Sequence, residues 1–238
     1  MTAVLKREFR ALFNCMRGYS VLALLLLSAG ALIVYYGFLM ESASLSYVLS
    51  DLMPLSALLC PILCYKLFSE NQDKLLRILP ISTAEGVIGK YFAVIALYAI
   101  QTAVLALAPL IYNYFTKVDL FASYVSLLAY FLFIASVVAV CMFFSIITSR
   151  ISVIFAACYG YSVFMYIVQV VSYFVKKQNI FSGILYEALN FVGIFNRFES
   201  FVYGEFDIGA IVYYLSITFV FIFLTVRSFE KRLGGEEI

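Results

Sequence analysis

The sequence predicts an all-α, polytopic membrane protein with six transmembrane helices. The chain has 238 residues, of which 65% are hydrophobic and only 13% are charged, whereas a soluble domain is about half apolar and a quarter charged. Runs of about 20 apolar residues recur, and each is long enough to cross a hydrocarbon layer of about 30 Å. A transmembrane β-barrel would show short alternating segments instead. We therefore expect one transmembrane domain over residues 1–238.

The distribution of Lys and Arg predicts which way the chain crosses the membrane, because cytoplasmic loops are enriched in these residues. We expect spans at residues 19–40, 48–67, 88–114, 120–147, 151–175 and 208–227. One set of tails and loops then holds Lys6, Arg7, Arg10, Arg17, Lys66, Lys74, Arg77, Lys90, Arg150, Arg227, Lys231 and Arg232. The opposite set holds Lys117, Lys176, Lys177 and Arg197. Both termini should thus be cytoplasmic, in a multi-pass protein of the cell membrane.

Residues 1–18 precede the first span and are predicted to form an amphipathic helix in the membrane interface. Apolar residues such as Phe9 recur at helical spacing, while Lys6, Arg7 and Arg10 lie mostly on the other side. A soluble tail is the alternative, but it would leave the apolar stripe in water. We expect no cleavable signal peptide, because the apolar run is too long and no small-residue cleavage site follows it.

The second and fifth spans carry features that affect helix packing. Pro54 and Pro61 each remove a backbone donor from the second span and predict kinks, with or without a mechanical role. Ala156 and Gly160 lie four residues apart in the fifth span, where small residues allow close contact with a helix of this chain or of another subunit. The cysteines are expected to pack in the membrane without disulfides. They are Cys15, Cys60, Cys64, Cys141 and Cys158.

A compact polar stretch between the second and third spans interrupts the apolar sequence. Residues 69–91 read SENQDKLLRILPISTAEGVIGKY and carry charges of both signs. Asp73 to Leu79 suit a short amphipathic helix, which the following proline ends. An ordinary positively charged loop is the alternative interpretation, but a helix, a proline and a second helix would form a stiff unit that can transmit force into the adjoining spans.

The third span should begin at the end of this stretch. Ser82 and Glu85 have the spacing of a capping box, which marks a helix start. Lys90 should then lie about where the helix enters the membrane. We therefore treat residues 69–85 as a cytoplasmic coupling loop.

Residues 176–207 form the one long outward segment. It is too polar and too broken to span the membrane, yet it contains the apolar stretches IFSGIL and ALNFVGIF. We expect one or two short re-entrant helices in the outer leaflet, where protein or a water-filled cavity must satisfy the irregular backbone.

Several chemistries are excluded by what the sequence lacks. It has no histidine, which excludes His-based catalysis, haem ligation by His and most catalytic zinc sites. It has no GxxxxGK[ST] phosphate loop. Spans three to six carry no Asp, Glu, Lys or Arg away from their ends, so we see no site for a driving proton or sodium ion. We expect no catalytic, cofactor or metal residues in the chain, and the net charge of +2 does not indicate nucleic acid.

Six short motifs follow one another along the chain and together indicate a family. They are Leu5-Lys6-Arg7-Glu8-Phe9-Arg10 with Gly18-Tyr19; Pro61-Ile62-Leu63 with Phe68-Ser69-Glu70; Leu75-Leu76 with Pro80-Ile81-Ser82; Ile88-Gly89-Lys90-Tyr91; Phe144-Ser145-Ile146-Ile147-Thr148-Ser149; and Tyr203-Gly204-Glu205-Phe206-Asp207-Ile208. Over essentially its whole length the chain resembles the membrane subunit of ABC transporters of the ABC type 2 superfamily, in particular gliding-motility-like and copper-maturation-like permeases. One departure is that Asn71-Gln72 leads straight to Asp73, about two residues short of the family pattern.

The resemblance implies a membrane-embedded permease that pairs with a second permease, as a homodimer or heterodimer, and with cytoplasmic ABC ATPase subunits. The ATPases would bind ATP and Mg, so the permease itself would not be an enzyme. The coupling loop would sit in a groove of the ATPase through Glu70, Asp73, Lys74, Leu76, Arg77, Pro80, Ser82 and Glu85. The outward re-entrant segment would close the exit with Phe191, Phe195, Tyr203 and Gly204.

The expected function is ATP-driven export of an amphipathic, lipid-like or peptide-like substrate. The 19 Tyr and 24 Phe residues suit such a cargo, although most should face membrane lipid. A non-transporting scaffold that couples an ATPase to an extracytoplasmic partner is the alternative. An intramembrane enzyme is least favoured, because the chain lacks histidine and paired mid-membrane carboxylates.

Overall fold

Six helices long and apolar enough to cross a membrane are present in the computed structural model of the chain. The structure describes residues 2–14, 16–39, 44–65, 67–68, 83–115, 119–148, 150–175, 189 and 193–234. Of the described residues, 91% are helical and none lies in a strand. The prediction of an all-α, polytopic membrane protein is confirmed. The spanning helices cover Met16–Gly37, Leu45–Cys64, Thr83–Tyr114, Leu120–Ile147, Ile151–Phe174 and Ile208–Arg232.

The helices follow the apolar runs, because a helix satisfies its backbone hydrogen bonds within its own segment. In chain order the elements are α1 (Thr2–Asn14), α2 (Met16–Val34), a π-helical turn (Tyr35–Leu39), α3 (Leu45–Cys64), α4 (Thr83–Leu105), α5 (Ala108–Phe115), α6 (Leu120–Ile147), α7 (Ile151–Val175), a 3₁₀ turn (Asn196–Phe198), α8 (Glu199–Val202) and α9 (Ile208–Gly234).

The third span is divided into α4 and α5, which the sequence analysis did not anticipate. Pro109 has no backbone N–H, so it cannot donate to the carbonyl of Leu105 as a continuous helix requires. The chain turns at Ala106 and Leu107, and the helical pattern resumes with a bond from the Ile111 amide to the Leu107 carbonyl (3.2 Å).

Helix α6 is the centre of the bundle and packs against α3, α4, α7, α8 and α9. Of its most apolar stretch 67% is buried, against 17% for α9. Small residues let neighbouring backbones approach closely in membrane bundles, and α6 buries Ser123, Ser126, Ala129, Ser136 and Ala139. The core therefore runs along α6, and α9 presents most of its surface to the surroundings.

Aspartates mark the starts of α6 and α9. Asp119 Oδ1 accepts hydrogen bonds from the amides of Phe121 (3.1 Å) and Ala122 (3.4 Å), and Asp207 Oδ1 accepts from the amide of Gly209 (2.8 Å). Each satisfies backbone donors that the first helical turn leaves unpaired. Both helix starts lie at one end of the bundle, together with the start of α3.

The N-terminal segment forms the predicted helix, and α1 packs against α4. Leu12 is buried, and the rings of Phe9 and Phe13 are half-buried with centroids 4.5 Å apart. Arg10 is exposed. Protein thus covers part of the apolar stripe that a soluble tail would leave wet. Its placement in the membrane interface stays a prediction.

The charged residues of α1 differ in solvent exposure. Glu8 is 3% exposed, and its Oε1 accepts a hydrogen bond from Arg7 Nη2 at 2.7 Å. The side chain of Lys6 lies outside the described part of the structure. After α1 the chain enters α2 through Gly18, where a Cβ atom would overlap the carbonyl oxygen of Leu12. This close approach requires glycine.

Helix α3 contains Pro54 and Pro61 and is unbroken through both. Gly160 and Ala156 lie on an exposed face of α7, and a Cβ on Gly160 would meet no described atom within 4 Å, so this small face is not used for packing among the described residues. Cys60, Cys64, Cys141 and Cys158 are buried and free, as expected; Cys15 lies outside the described residues.

Candidate functional site

Two polar regions lie at opposite ends of the bundle. The first, called the Lys90 cluster, consists of Leu67, Phe68, Thr83, Lys90, Phe229 and Glu230. The second, called the Asp51 cavity, lies between α3, α7 and the segment before α9. The Lys90 cluster borders the predicted coupling loop, because Phe68 and Thr83 are the described residues on either side of it.

Lys90 is the centre of its cluster and is fully buried. Its Nζ donates a hydrogen bond to the carbonyl oxygen of Leu67, just beyond the end of α3. The same atom lies 4.5 Å from the ring centroid of Phe68 and 6.0 Å from that of Phe229. Burying an ammonium group costs several kcal/mol unless partners compensate, and a carbonyl oxygen and aromatic faces provide such partners. Lys90 therefore joins the end of α3 to α4 and α9.

The start of α4 agrees with the helix start predicted from the spacing of Ser82 and Glu85, and the position of Lys90 relative to the membrane stays a prediction. Helix α4 begins at Thr83, so Lys90 lies about two turns inside it. The helix extends further toward this end than the apolar run at 88–114 suggested, and the lysine is enclosed by protein.

A second contact secures the other side of the predicted loop. Thr83 Oγ1 donates to Glu230 Oε1 at 3.2 Å, and Glu230 also pairs with Arg227 at 3.6 Å. The ring centroids of Phe68 and Phe229 are 5.7 Å apart. The exposed polar contacts are individually weak, but both flanks of the loop contact the same last turns of α9.

The end of α3 is also tied to other helices. Ser145 Oγ on α6 donates to the carbonyl of Cys64 at 2.9 Å in a buried contact. The guanidinium carbon of Arg17 lies 5.1 Å from the Tyr65 ring, whose centroid is 5.6 Å from that of Phe155 on α7. The chain thus enters the predicted coupling loop from a point fixed by α2, α4, α6, α7 and α9.

Most of the predicted coupling residues lie outside the described residues: Glu70, Asp73, Lys74, Leu76, Arg77, Pro80 and Ser82. Glu85 is described and lies exposed in the first turn of α4, where the helix dipole favours a carboxylate. The loop conformation stays a prediction, and the geometry of its flanks is what the structure adds.

At the opposite end, the segment before α9 is held by buried aromatic rings. Phe195, Phe198 and Phe201 are each at most 5% exposed. The ring of Phe195 lies 5.1 Å from that of Phe133 on α6 and 6.2 Å from that of Tyr166 on α7. These three rings of the segment before α9 are therefore part of the bundle core.

Hydrogen bonds fix the backbone of the same segment. Tyr214 Oη on α9 donates to the carbonyl of Ile194 at 2.8 Å, and Ser126 Oγ on α6 donates to the carbonyl of Phe201 at 2.7 Å. Ser126 in turn contacts Ser46 Oγ on α3 at 2.8 Å. A hydroxyl has one hydrogen, so Ser46 is the donor in that pair when Ser126 donates to Phe201. Such internal partners satisfy the irregular backbone of this segment, as a re-entrant placement would require.

The Asp51 cavity has a volume of about 480 Å³. Its wall combines carboxylate, amide and hydroxyl groups with aromatic rings. The lining residues are Ser50, Asp51, Met53, Pro54, Tyr166, Gln169, Val170, Ser172, Tyr173, Phe195, Asn196, Phe198, Glu199, Val202 and Tyr203.

Of the residues predicted to close the exit, Phe195 and Tyr203 line this cavity. Phe195 is buried in its wall, and Tyr203 is 78% exposed at its edge. Gly204 has a φ of 77°, a left-handed conformation that glycine adopts without strain, and a Cβ there would approach the Cβ of Ala122 to 2.9 Å. It turns the chain toward α9. Phe191 lies outside the described residues.

Sequence reasoning missed several contributors, among them Asp51 and Glu199 of the cavity and the buried contacts of Lys90. Ser126 carried no signal because a serine in an apolar helix usually bonds its own backbone. Asn196 could have been noticed as a polar residue between apolar neighbours in the stretch GIFNRF. In the described part of the chain, no group of three or more His, Cys, Asp or Glu residues is arranged to hold a metal ion.

Neither a protein-family model nor a curated protein matches the chain.

Proposed function

We propose that this chain is the transmembrane permease subunit of an ATP-driven ABC transporter that exports an amphipathic, lipid-like or peptide-like substrate. The observation that supports this most is the Lys90 cluster, which ties both flanks of the polar loop to the helix bundle. In this proposal the loop receives mechanical work from a separate ATPase that binds ATP and Mg.

The geometry of the flanks suits the transmission of force. A pull or push on the loop acts on Phe68 at one end and on Thr83 at the other. Phe68 is connected through Lys90 to α4, and both flanks contact α9 through Phe229 and Glu230. Because packed helices shift as discrete units rather than deforming continuously, displacement of the loop moves α3, α4 and α9 together.

The distribution of buried charge supports an external source of energy. Among the described residues, the buried charged side chains are Glu8 and Lys90, and Glu8 belongs to α1, outside the six spans. The described parts of the spans therefore bury no carboxylate. Proton- and sodium-coupled carriers depend on such groups near the middle of the membrane.

The proposal includes the orientation and the partners. Both termini and the loop at 69–85 are cytoplasmic, as the Lys and Arg distribution indicates, and the Asp51 cavity then opens on the outer side of the cell membrane. A second permease, identical or homologous, packs beside this one. The exposed small face of α7 at Ala156 and Gly160 offers a surface for that contact.

The test is ATP hydrolysis by the complex isolated from native membranes. The tagged chain is purified into lipid nanodiscs, and nucleotide hydrolysis per mole of chain is measured. Asp73→Lys and Arg77→Glu, made separately, should each reduce hydrolysis at least about tenfold, because a reversed charge in a docking surface costs more than 1.4 kcal/mol. The control Glu205→Lys reverses an exposed charge at the opposite end and should leave hydrolysis unchanged.

Two results would contradict the proposal. One is unchanged hydrolysis in both loop variants with equal membrane insertion. The other is solute transport by the purified chain alone, driven by an ion gradient without nucleotide. If hydrolysis depends on the loop but no amphipathic cargo stimulates it, the chain acts as a scaffold that couples an ATPase to another partner.

A further inference from the structure

The charged groups among the described residues that line the Asp51 cavity are both carboxylates. Asp51 and Glu199 contribute carboxylates, and neither Lys nor Arg is among the described residues that line it. Arg197 is adjacent in sequence, but its guanidinium carbon lies 5.5 Å from the ring of Tyr213 on α9. Tyr36 Oη donates to Asp51 Oδ2 at 2.7 Å, and the remaining lone pairs of Asp51 can accept further donors.

Asn196 provides a second and independent observation. It lies in the cavity wall, is 6% exposed, and its Oδ1 has no hydrogen-bond partner among the described residues. Its Nδ2 donates to Ser172 Oγ at 2.8 Å, while Ser172 Oγ donates to the carbonyl of Gln169 at 2.8 Å. With the hydroxyl hydrogen of Ser172 directed to Gln169, Ser172 Oγ accepts from the amide nitrogen. In this arrangement the oxygen is the atom of the Asn196 amide without a described partner.

An acceptor left in this state favours a ligand that can donate a hydrogen bond. A buried polar atom without a partner costs about 1–3 kcal/mol, and a ligand N–H group placed against Oδ1 would recover this energy. Hydroxyl ligands could also donate, but the two carboxylates favour a donor with positive charge.

The aromatic wall fits the rest of such a ligand. Tyr166, Tyr173, Phe195 and Phe198 contribute rings, and aromatic faces attract cations as well as apolar chains. Tyr166 and Tyr173 are also exposed on α7, which is a spanning helix. A ligand held there can keep its tail along the apolar surface of the helix.

We propose that the Asp51 cavity binds an amphipathic primary amine, with the ammonium group between Asp51, Glu199 and Asn196 Oδ1 and the apolar chain against the tyrosines of α7. Binding needs only this chain. It therefore stands or falls independently of the ATPase-coupled function proposed above.

The experiment is titration calorimetry on the full chain in nanodiscs, with empty nanodiscs as the reference for partitioning into lipid. The probes are octylamine, octyltrimethylammonium and octanol, which share the same tail. Octylamine should bind saturably to one site. Octyltrimethylammonium carries the charge but has no N–H donor. It should bind about tenfold more weakly, because it leaves Asn196 Oδ1 without a hydrogen bond. Octanol lacks the charge and should show no binding above the reference.

Variants test the assigned groups. Asp51→Asn and Glu199→Gln should each weaken octylamine binding about three- to tenfold, the effect of removing one carboxylate from a partly exposed site. Asn196→Asp places a carboxylate at the unpaired acceptor and should strengthen it about threefold or more. Glu205→Gln removes a negative charge at the same end outside the cavity lining and should bind as the wild type does. Thermal unfolding of each variant controls for folding.

Three outcomes would overturn the inference: heats equal to those of empty nanodiscs, equal affinity for octylamine and octyltrimethylammonium, or undiminished octylamine binding by a folded Asp51→Asn, Glu199→Gln double variant. A gain of affinity in Asn196→Asp together with losses in the other two variants would support it.

Discussion

The contact of Lys90 with the rings of Phe68 and Phe229 predicts two coupling energies of different size. Replacing Lys90 alone does not measure them, because Lys90→Met also removes the burial cost of the ammonium, several kcal/mol, and its bond to the Leu67 carbonyl. In a double-mutant cycle with Phe68→Leu these contributions occur in both Lys90→Met steps and cancel. What remains is the pairwise energy between the cation and the ring.

The distances set the expected magnitudes. The ammonium lies 4.5 Å from the Phe68 centroid in a fully buried site, and a desolvated cation–π contact is worth about 2 kcal/mol. For Phe229 the separation is 6.0 Å, at the outer limit of the interaction, so a cycle with Phe229→Leu should give less than about 1 kcal/mol. The Phe68 cycle should therefore exceed the Phe229 cycle.

The assay is equilibrium unfolding of the purified chain in mixed micelles by increasing SDS, followed by far-UV circular dichroism. Each cycle needs the wild type, two single variants and the double variant under one condition. A Phe68 coupling energy within about 0.3 kcal/mol of zero, the usual limit of additivity, would refute the assigned contact. So would a larger value for Phe229 than for Phe68.

Two further predictions concern the segment before α9. Ser126→Ala removes the hydroxyl that bonds the Phe201 carbonyl and Ser46 Oγ, while the Gly204 amide still donates to that carbonyl at 3.1 Å, and it should destabilise the chain by about 1 kcal/mol in the same assay. Ser136→Ala is its control. Among the described residues, that hydroxyl bonds only the Phe133 carbonyl of its own helix, so its removal should cost about 0.5 kcal/mol or less. Equal losses in the two variants would contradict the role assigned to Ser126. Gly204→Ala forces a side chain into positive φ and should cost about 1–3 kcal/mol, whereas the control Gly30→Ala on α2 has open space and should be neutral or stabilising. A neutral Gly204→Ala variant would show that the turn adjusts.

The sequence predicted the six spans well, because their signal is local. An apolar run of sufficient length must form a helix that satisfies its own backbone, wherever the neighbouring helices lie. The exception was the third span, where Pro109 divides the helix. The proline is a local signal that was not used, whereas the spacing of Ser82 and Glu85 predicted the helix start observed at Thr83.

The candidate sites were predicted only in part. Phe195, Tyr203 and Gly204 lie in the expected segment, but the expectation came from its family resemblance and its apolar stretches. Neither indicates that Asn196 faces Ser172 or that its amide keeps a free acceptor. The coupling function of Asp73 and Arg77 stays a prediction, while the flanks of their loop are defined by contacts that the sequence did not indicate.

What the sequence by itself determined is the membrane character, the number of spans and the position of the polar interruptions, all of which follow from transfer of individual segments from water to lipid. Tertiary structure alone decided which polar groups meet. Lys90 reaches Leu67 across 23 residues, and Ser126 reaches Phe201 across 75. In a bundle where almost every side chain is apolar, many helix arrangements bury similar area, so the few polar groups find their partners only after the packing around α6 has brought distant segments together.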